Sequence, residues 1–228
     1  YYQAPVTMEA PRGLPGRFES FVHVLRAAGL GDLAPLQARL SAWVGILAGF
    51  RPDLVVCEHS PTALLASRAL RLRCVVLGAG ASVPTPGPPL GLLPDVPRDA
   101  ARLAALAAEE TALCGLAERA LRSLGAGRLA RLGDLYGDAV ACWILTFPEL
   151  DVLGPRRDAD YLGSWSGPRR GGFRWSSEGR PRILAYLSSL RVTGGLVEAL
   201  ARSGAEVRVV GGGEAARQAA LTRSGLDV

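Results

Sequence analysis

The sequence contains no lysine. Its 26 non-histidine cations are all arginines, and against 21 acids they leave a net charge of +5. The arginines are scattered and never form a run of five. The basic stripe of a nucleic-acid-binding surface is therefore missing, and the charge reads as solvated surface. An all-arginine chain heavy in Ala, Leu and Gly points to GC-rich coding rather than to an activity. Histidine is scarce as well, with only His23 and His59 present, and no acidic cluster stands at ligand spacing, so a metal site is not supported. The four cysteines lie far apart and make no CxxC pair. Three of them sit in apolar stretches, as buried free thiols do, which excludes a disulfide framework and leads us to expect a reducing cytoplasm. No apolar run approaches the ~18–20 residues of a membrane span. The opening "YYQAPVTMEA" has neither a basic n-region nor an apolar h-region, so it is not a signal peptide. It also lacks an initiator Met, and the expectation is a chain that starts inside a longer one.

What remains is an ordinary globular composition, 49% hydrophobic and 21% charged. Its 228 residues suffice for one large domain or for parts of two. After a Pro/Gly loop to Pro15, "RFESFVHVLRAAGLG" has helical spacing and ends at Gly29 or Gly31. "DLAPLQARLSAWVGILAGF" predicts a second amphipathic helix, with Leu33, Leu36, Leu40, Trp43, Val44 and Leu47 on one face. "PDLVVC" is a short unbroken apolar run, the pattern of a strand buried on both faces in a parallel sheet. Ser60 suits an N-cap and Pro61 the first helical position of "TALLASRAL". "RCVVLGAG" follows as a second buried strand. Residues 52–80 thus form a βαβ unit of about 30 residues.

Downstream come a Pro-rich loop, "ASVPTPGPPLGLLPDVP", a long helix over 98–124 and a third strand in "ACWILTF". The Gly/Pro/Ser/Arg-rich stretch from Gly163 reads as an interdomain linker. Strand, helix, strand and helix follow in "ILAYLSS", "TGGLVEALARSG", "AEVRVVGGG" and "EAARQAALTRSG". The expected organisation is α/β throughout. Residues 1–162 form a first, parallel-sheet Rossmann-like domain, 163–181 the linker, and 182–228 the start of a second Rossmann-like domain.

Open parallel sheets bind ligands beyond the C-terminal ends of their strands. Two such loops leave the first sheet. One carries Glu58, His59 and Ser60; the other carries Gly78, Gly80, Ser82, Pro84 and the rest of the Pro-rich run. A carboxylate beside an imidazole can orient it as a general base. Adjacent strand residues point to opposite faces, however, so Glu58 and His59 are not expected to bond each other. The plainer reading has Glu58 favouring the helix N-terminus and His59 packed in the turn. His23, mid-helix among Val and Phe, reads as a packed structural residue. Gly211 and Gly212 follow a strand and precede a helix, where a phosphate could enter or the chain simply turn. Ser188 and Ser189 also follow a buried strand, either as diphosphate-holding hydroxyls or as a plain loop. Trp165 and Trp175 could cap a cleft or anchor the linker.

Four pieces together carry a resemblance: "QAPV", "RPDLVVCEHSPTALLASRALRLRCVVLGAGASVPTPGPPL", "ILTFPELDVLGPRRDADYLG" and "RPRILAYLSS". "PDLVVCEHSPTALLA" and "LTFPELD" are the most specific. They resemble bacterial glycosyltransferases of the macrolide/UDP-glucuronosyltransferase-like type, enzymes of natural-product glycosylation with the B-type fold of two Rossmann domains. The resemblance implies inverting transfer from a nucleotide sugar to a small hydrophobic acceptor, with no bound metal and no cofactor, the nucleotide sugar being a substrate. A histidine in the first βα loop acts as base and an acid at the end of a later strand orients it. Glu58 matches that acid, usually an Asp. His59, Ser60, Gly80, Ser82 and Pro84 are the implied acceptor-lining residues, while Ser188, Ser189, Gly211 and Gly212 are the implied donor side. The family's Gly-His would precede residue 1 and its main donor block would follow Val228, so an internal fragment, inactive alone, is expected. A sugar-nucleotide epimerase or hydrolase on the same fold is the alternative enzyme, and a non-catalytic binding module the alternative outside enzymes.

Overall fold

The computed structural model describes residues 2–6, 13–85, 87–157, 159–164, 175, 179–187, 194–211 and 226–227. It divides into two compact units, Tyr1–Ser166 and Gly167–Val228.

The first unit is built on four parallel strands: β1 (Leu54–Glu58), β2 (Arg73–Gly78), β3 (Ala141–Ile144) and β4 (Asp160–Tyr161), side by side in chain order. Its helices are α1 (Phe21–Leu25), α2 (Leu33–Phe50), α3 (Pro61–Ala69), α4 (Ala100–Arg122) and the single turn α5 (Asp134–Gly137). The helix expected from Arg17 begins only at Phe21 and widens into a π-type turn over Arg26–Leu30, where Gly29 takes φ 90°. α2 buries Leu36, Leu40 and Leu47, spaced so that they share one face. Arg51 closes it in the left-handed conformation (φ 51°), its N–H on the Leu47 carbonyl at 2.9 Å, and Pro52 prevents continuation. By length and composition α2 is apolar enough to cross a membrane, with a mean hydropathy of 1.2. That corrects the reading that no segment approached such a length. In the fold its apolar face packs on the domain core, together with α3 and α4.

α3 is buried at every position from Pro61 to Ser67, the mark of a helix enclosed by neighbours. α4 starts on Asp99, whose carboxylate accepts the Arg102 N–H at 2.8 Å, and ends with Arg119 and Arg122 against the negative end of its dipole. Between them, Leu106, Leu113, Cys114, Ala117, Ala120 and Leu121 line the inward face. Each fully buried leucine of this core contributes ~1.5–3 kcal/mol.

β2 is buried on both faces, as its apolar run predicts. β1 is not. Cys57 is buried, but Leu54 and Val56, on the opposite face, are exposed. An unbroken apolar run tells the strand from its surroundings but not whether both faces are covered. All four cysteines are free thiols.

In the second unit, β5 (Arg182–Leu187), β6 (Glu206–Gly211) and β7 (Leu226–Asp227) run parallel in that order, with α6 (Gly194–Arg202) between the first two. Val207 is buried. The Arg182 guanidinium lies 5.8 Å from the Trp175 ring centroid, so this tryptophan stacks on the start of β5. Trp165 lies outside the described residues.

Candidate active site

The parallel register puts Glu58 opposite Leu77, one residue before Gly78, so β1 and β2 end at the same level. The loops that leave them are neighbours. Glu58 is exposed, and its Cγ comes within 3.5 Å of the point where a β-carbon on Gly78 would stand. The Ser82 Cβ is 2.8 Å from that same point. Gly78, at φ 155°, is what lets the carboxylate stem and the serine converge there. Glu58 and Ser82 are thus brought together at the sheet edge.

His59 takes the left-handed conformation (φ 39°), uncommon for a residue with a side chain. This twist turns its ring edge-on to Phe21, with centroids 6.2 Å apart and planes at 90°. Among the described residues nothing bonds His59 to Glu58, as the pleat argument expects. Ser60 occupies the N-cap position of α3, but its hydroxyl makes no capping bond, which corrects the expectation drawn from residue type. Its carbonyl does accept the Leu64 N–H at 3.1 Å.

A histidine–glutamate pair does exist, away from this edge. His23 is 1% exposed, receives the Glu19 N–H on Nδ1 at 3.0 Å and places Nε2 3.2 Å from the Glu109 carboxylate. The Nδ1 bond fixes the tautomer, so Nε2 carries the proton and donates it to Glu109. Both nitrogens are occupied in a closed space. The pair ties α1 to α4, as the packed reading of His23 implies.

The loop after β2 holds the part that sequence reasoning missed. Gly80–Ser82 form one tight turn, with the Ser82 N–H on the Ala79 carbonyl at 2.7 Å. Beneath it lies Asp151, its side chain fully enclosed, paired with Arg156, which is 6% exposed. The Asp151 carboxylate accepts from Arg156 Nε (2.9 Å), the Tyr161 hydroxyl (2.7 Å) and the Leu153 N–H (3.0 Å). Arg156 Nη2 donates to the Gly80 carbonyl at 3.3 Å and Nη1 to the Val83 carbonyl. Burial, then the bond to Asp151, holds the Tyr161 hydroxyl above the usual tyrosine range. A β-carbon on Gly80 would stand 2.1 Å from Asp151 Oδ1, so only glycine fits. At its far end the same loop is held by α4, where the buried Glu110 carboxylate accepts the Leu90 N–H at 2.9 Å. Burial pushes the Glu110 carboxyl above its ordinary value, with the Leu90 N–H acting against it. The sequence signal for Asp151 was its place in "LTFPELD"; nothing in the pattern marked Arg156 over its neighbour Arg157.

Pro84 lines a cavity of about 480 Å³, with Val83, Leu90, Tyr136, Val140 and Arg157 among its other walls. It is the one implied acceptor residue on that wall. Gly211 is the last residue of β6. Ser188, Ser189 and Gly212 lie outside the described residues. No group of three or more potential metal ligands occurs among the described residues.

No protein-family model and no curated protein matches this sequence. Solved structures do. The glycotransferase of kitacinnamycin is similar at 12% identity and a TM-score of 0.52, over 98% of this chain and 57% of that one. The glycosyltransferase SnogD from Streptomyces nogalater is similar at 21% identity and a TM-score of 0.43, over 85% and 47%. Spinosyn forosaminyltransferase SpnP is similar at 19% and 0.43, over 75% and 45%. This chain spans about half the length of these proteins. At such identities the likeness concerns the fold, and the first of them carries it: an α/β chain with parallel, Rossmann-like sheets, shared with a glycosyltransferase.

Proposed function

We propose that this chain is part of a glycosyltransferase that moves a sugar from a nucleotide-sugar donor to a small hydrophobic acceptor, with inversion and without a metal. The observation that supports it most is the convergence of Glu58 and Ser82 at the C-terminal edge of a parallel sheet of this fold. The acceptor hydroxyl would sit at that edge, against His59, Ser60, Gly80, Ser82 and Pro84. The donor diphosphate would be held by Ser188, Ser189, Gly211 and Gly212.

Inverting transfer needs a base to take the acceptor proton as the nucleophile attacks. His23 is enclosed with both ring nitrogens engaged, and His59 faces Phe21 rather than Glu58. The base in this reading is a histidine that these 228 residues do not supply. Glu58 stands ready to accept its second N–H and to stabilise the imidazolium formed in the transition state, where a fixed charge is worth most.

Glu58→Gln in the full-length enzyme should lower kcat by about 10²-fold, the scale of general-base assistance, with donor KM little changed. A variant with unaltered kcat would remove Glu58 from the mechanism. Products assayed with and without acceptor would separate transfer from epimerisation or hydrolysis of the donor.

A further inference from the structure

We infer that Arg156 is a positioning residue that sets acceptor selectivity through the turn Gly80–Ser82 without touching the substrate; the inference rests on the acceptor reading of that turn. Three of its nitrogens have three separate tasks: Nε on Asp151, Nη2 on the Gly80 carbonyl and Nη1 on the Val83 carbonyl. The two carbonyls bracket the turn, and Ser82 stands between them. One planar group therefore fixes both ends of the segment that faces Glu58.

The cation is itself anchored. Asp151 is enclosed and held by Tyr161 from β4 and by the Leu153 N–H, so the guanidinium plane is not free to follow the turn. Loops that carry binding residues are usually more mobile than the elements they connect. Here the shape is fixed in addition by an enclosed guanidinium from a distant part of the chain. A lysine could keep the charge opposite Asp151, but its single ammonium cannot reproduce the fork that spans two carbonyls.

The test uses the full-length enzyme, with UDP-glucose and dTDP-glucose as donors and a hydroxycoumarin and a hydroxyanthraquinone as acceptors. Arg156→Lys is compared with Tyr161→Phe, which weakens the hold on Asp151 but leaves both carbonyl contacts in place. Arg156→Lys should speed amide hydrogen exchange in residues 79–85 while β1 and β2 stay protected. It should also raise acceptor KM by about tenfold, unequally for the two acceptors, with donor KM unchanged. Tyr161→Phe should lower Tm without that split. Unchanged exchange in 79–85, or equal shifts in acceptor and donor KM, would overturn the inference. If exchange loosens as expected but the wild type takes up neither acceptor, the glycosyltransferase reading fails and the selectivity role falls with it.

Discussion

The two loops that meet at the sheet edge are built in opposite ways. The one after β1 is short and exposed, and it places Glu58 and His59 at the surface with one ring contact to Phe21. The one after β2 has little chemistry of its own but is fastened from below by an enclosed ion pair and, farther along, by Glu110. The first keeps its acid and imidazole exposed to solvent, and the second keeps its charge enclosed. The same residue types, acid and base, serve both ends, and burial decides which role they take.

The largest effect that would break this contrast is expected from Gly80→Ala. The new β-carbon would occupy the place of the Asp151 carboxylate, and displacing a buried, paired charge costs about 3–5 kcal/mol. Denaturant midpoints and soluble yield would show it. Next is Asp151→Asn, which keeps the shape but leaves the Arg156 cation enclosed without its counter-charge, a loss of about 3 kcal/mol. Glu58→Gln, the same chemical change on the exposed loop, should stay within about 0.5 kcal/mol. Equal losses in the two variants would dissolve the distinction between them.

His59→Val should cost about 1–2 kcal/mol, because a β-branched side chain is forced into the left-handed region. His59→Gly should be nearly neutral, the relief of that conformation offsetting the lost contact with Phe21. A small effect of another kind is a pH dependence at Glu110. Its folded pKa is raised above the ordinary 4.5, so the folded state holds the proton more tightly than the unfolded one. That stabilisation is complete below about pH 4.5 and is lost as pH rises through the folded value. Glu110→Gln, which keeps an acceptor for the Leu90 N–H, should raise Tm at pH 7 by about 2 °C and by less at pH 4.

Most of the fold was legible because its strands are short apolar runs punctuated by Pro, Gly and charge, and its helices carry clear stripes. β4 was not, since two residues, Asp160 and Tyr161, leave no periodicity to read. The edge carrying Glu58 and Ser82 was legible from the rule that ligands gather at strand C-termini. The clasp was not. In "DVLGPRRDAD" two arginines stand side by side, and only the folded chain turns Arg156 inward and leaves Arg157 exposed. Likewise Ser60 has the right type for a cap, but whether its hydroxyl bonds depends on a backbone angle that composition does not encode.

The Asp151–Arg156 pair also has a consequence in time. β1 and β2 are joined by one short helix and can pair early, whereas β3 must find β2 across residues 79–140, a closure that is entropically slower. Asp151, Arg156 and Tyr161 all come later still in the chain. The turn at Gly80–Ser82 is thus latched by residues made some seventy positions after it. On a ribosome, the edge of the sheet where Glu58 and Ser82 converge would be among the last to take its final shape.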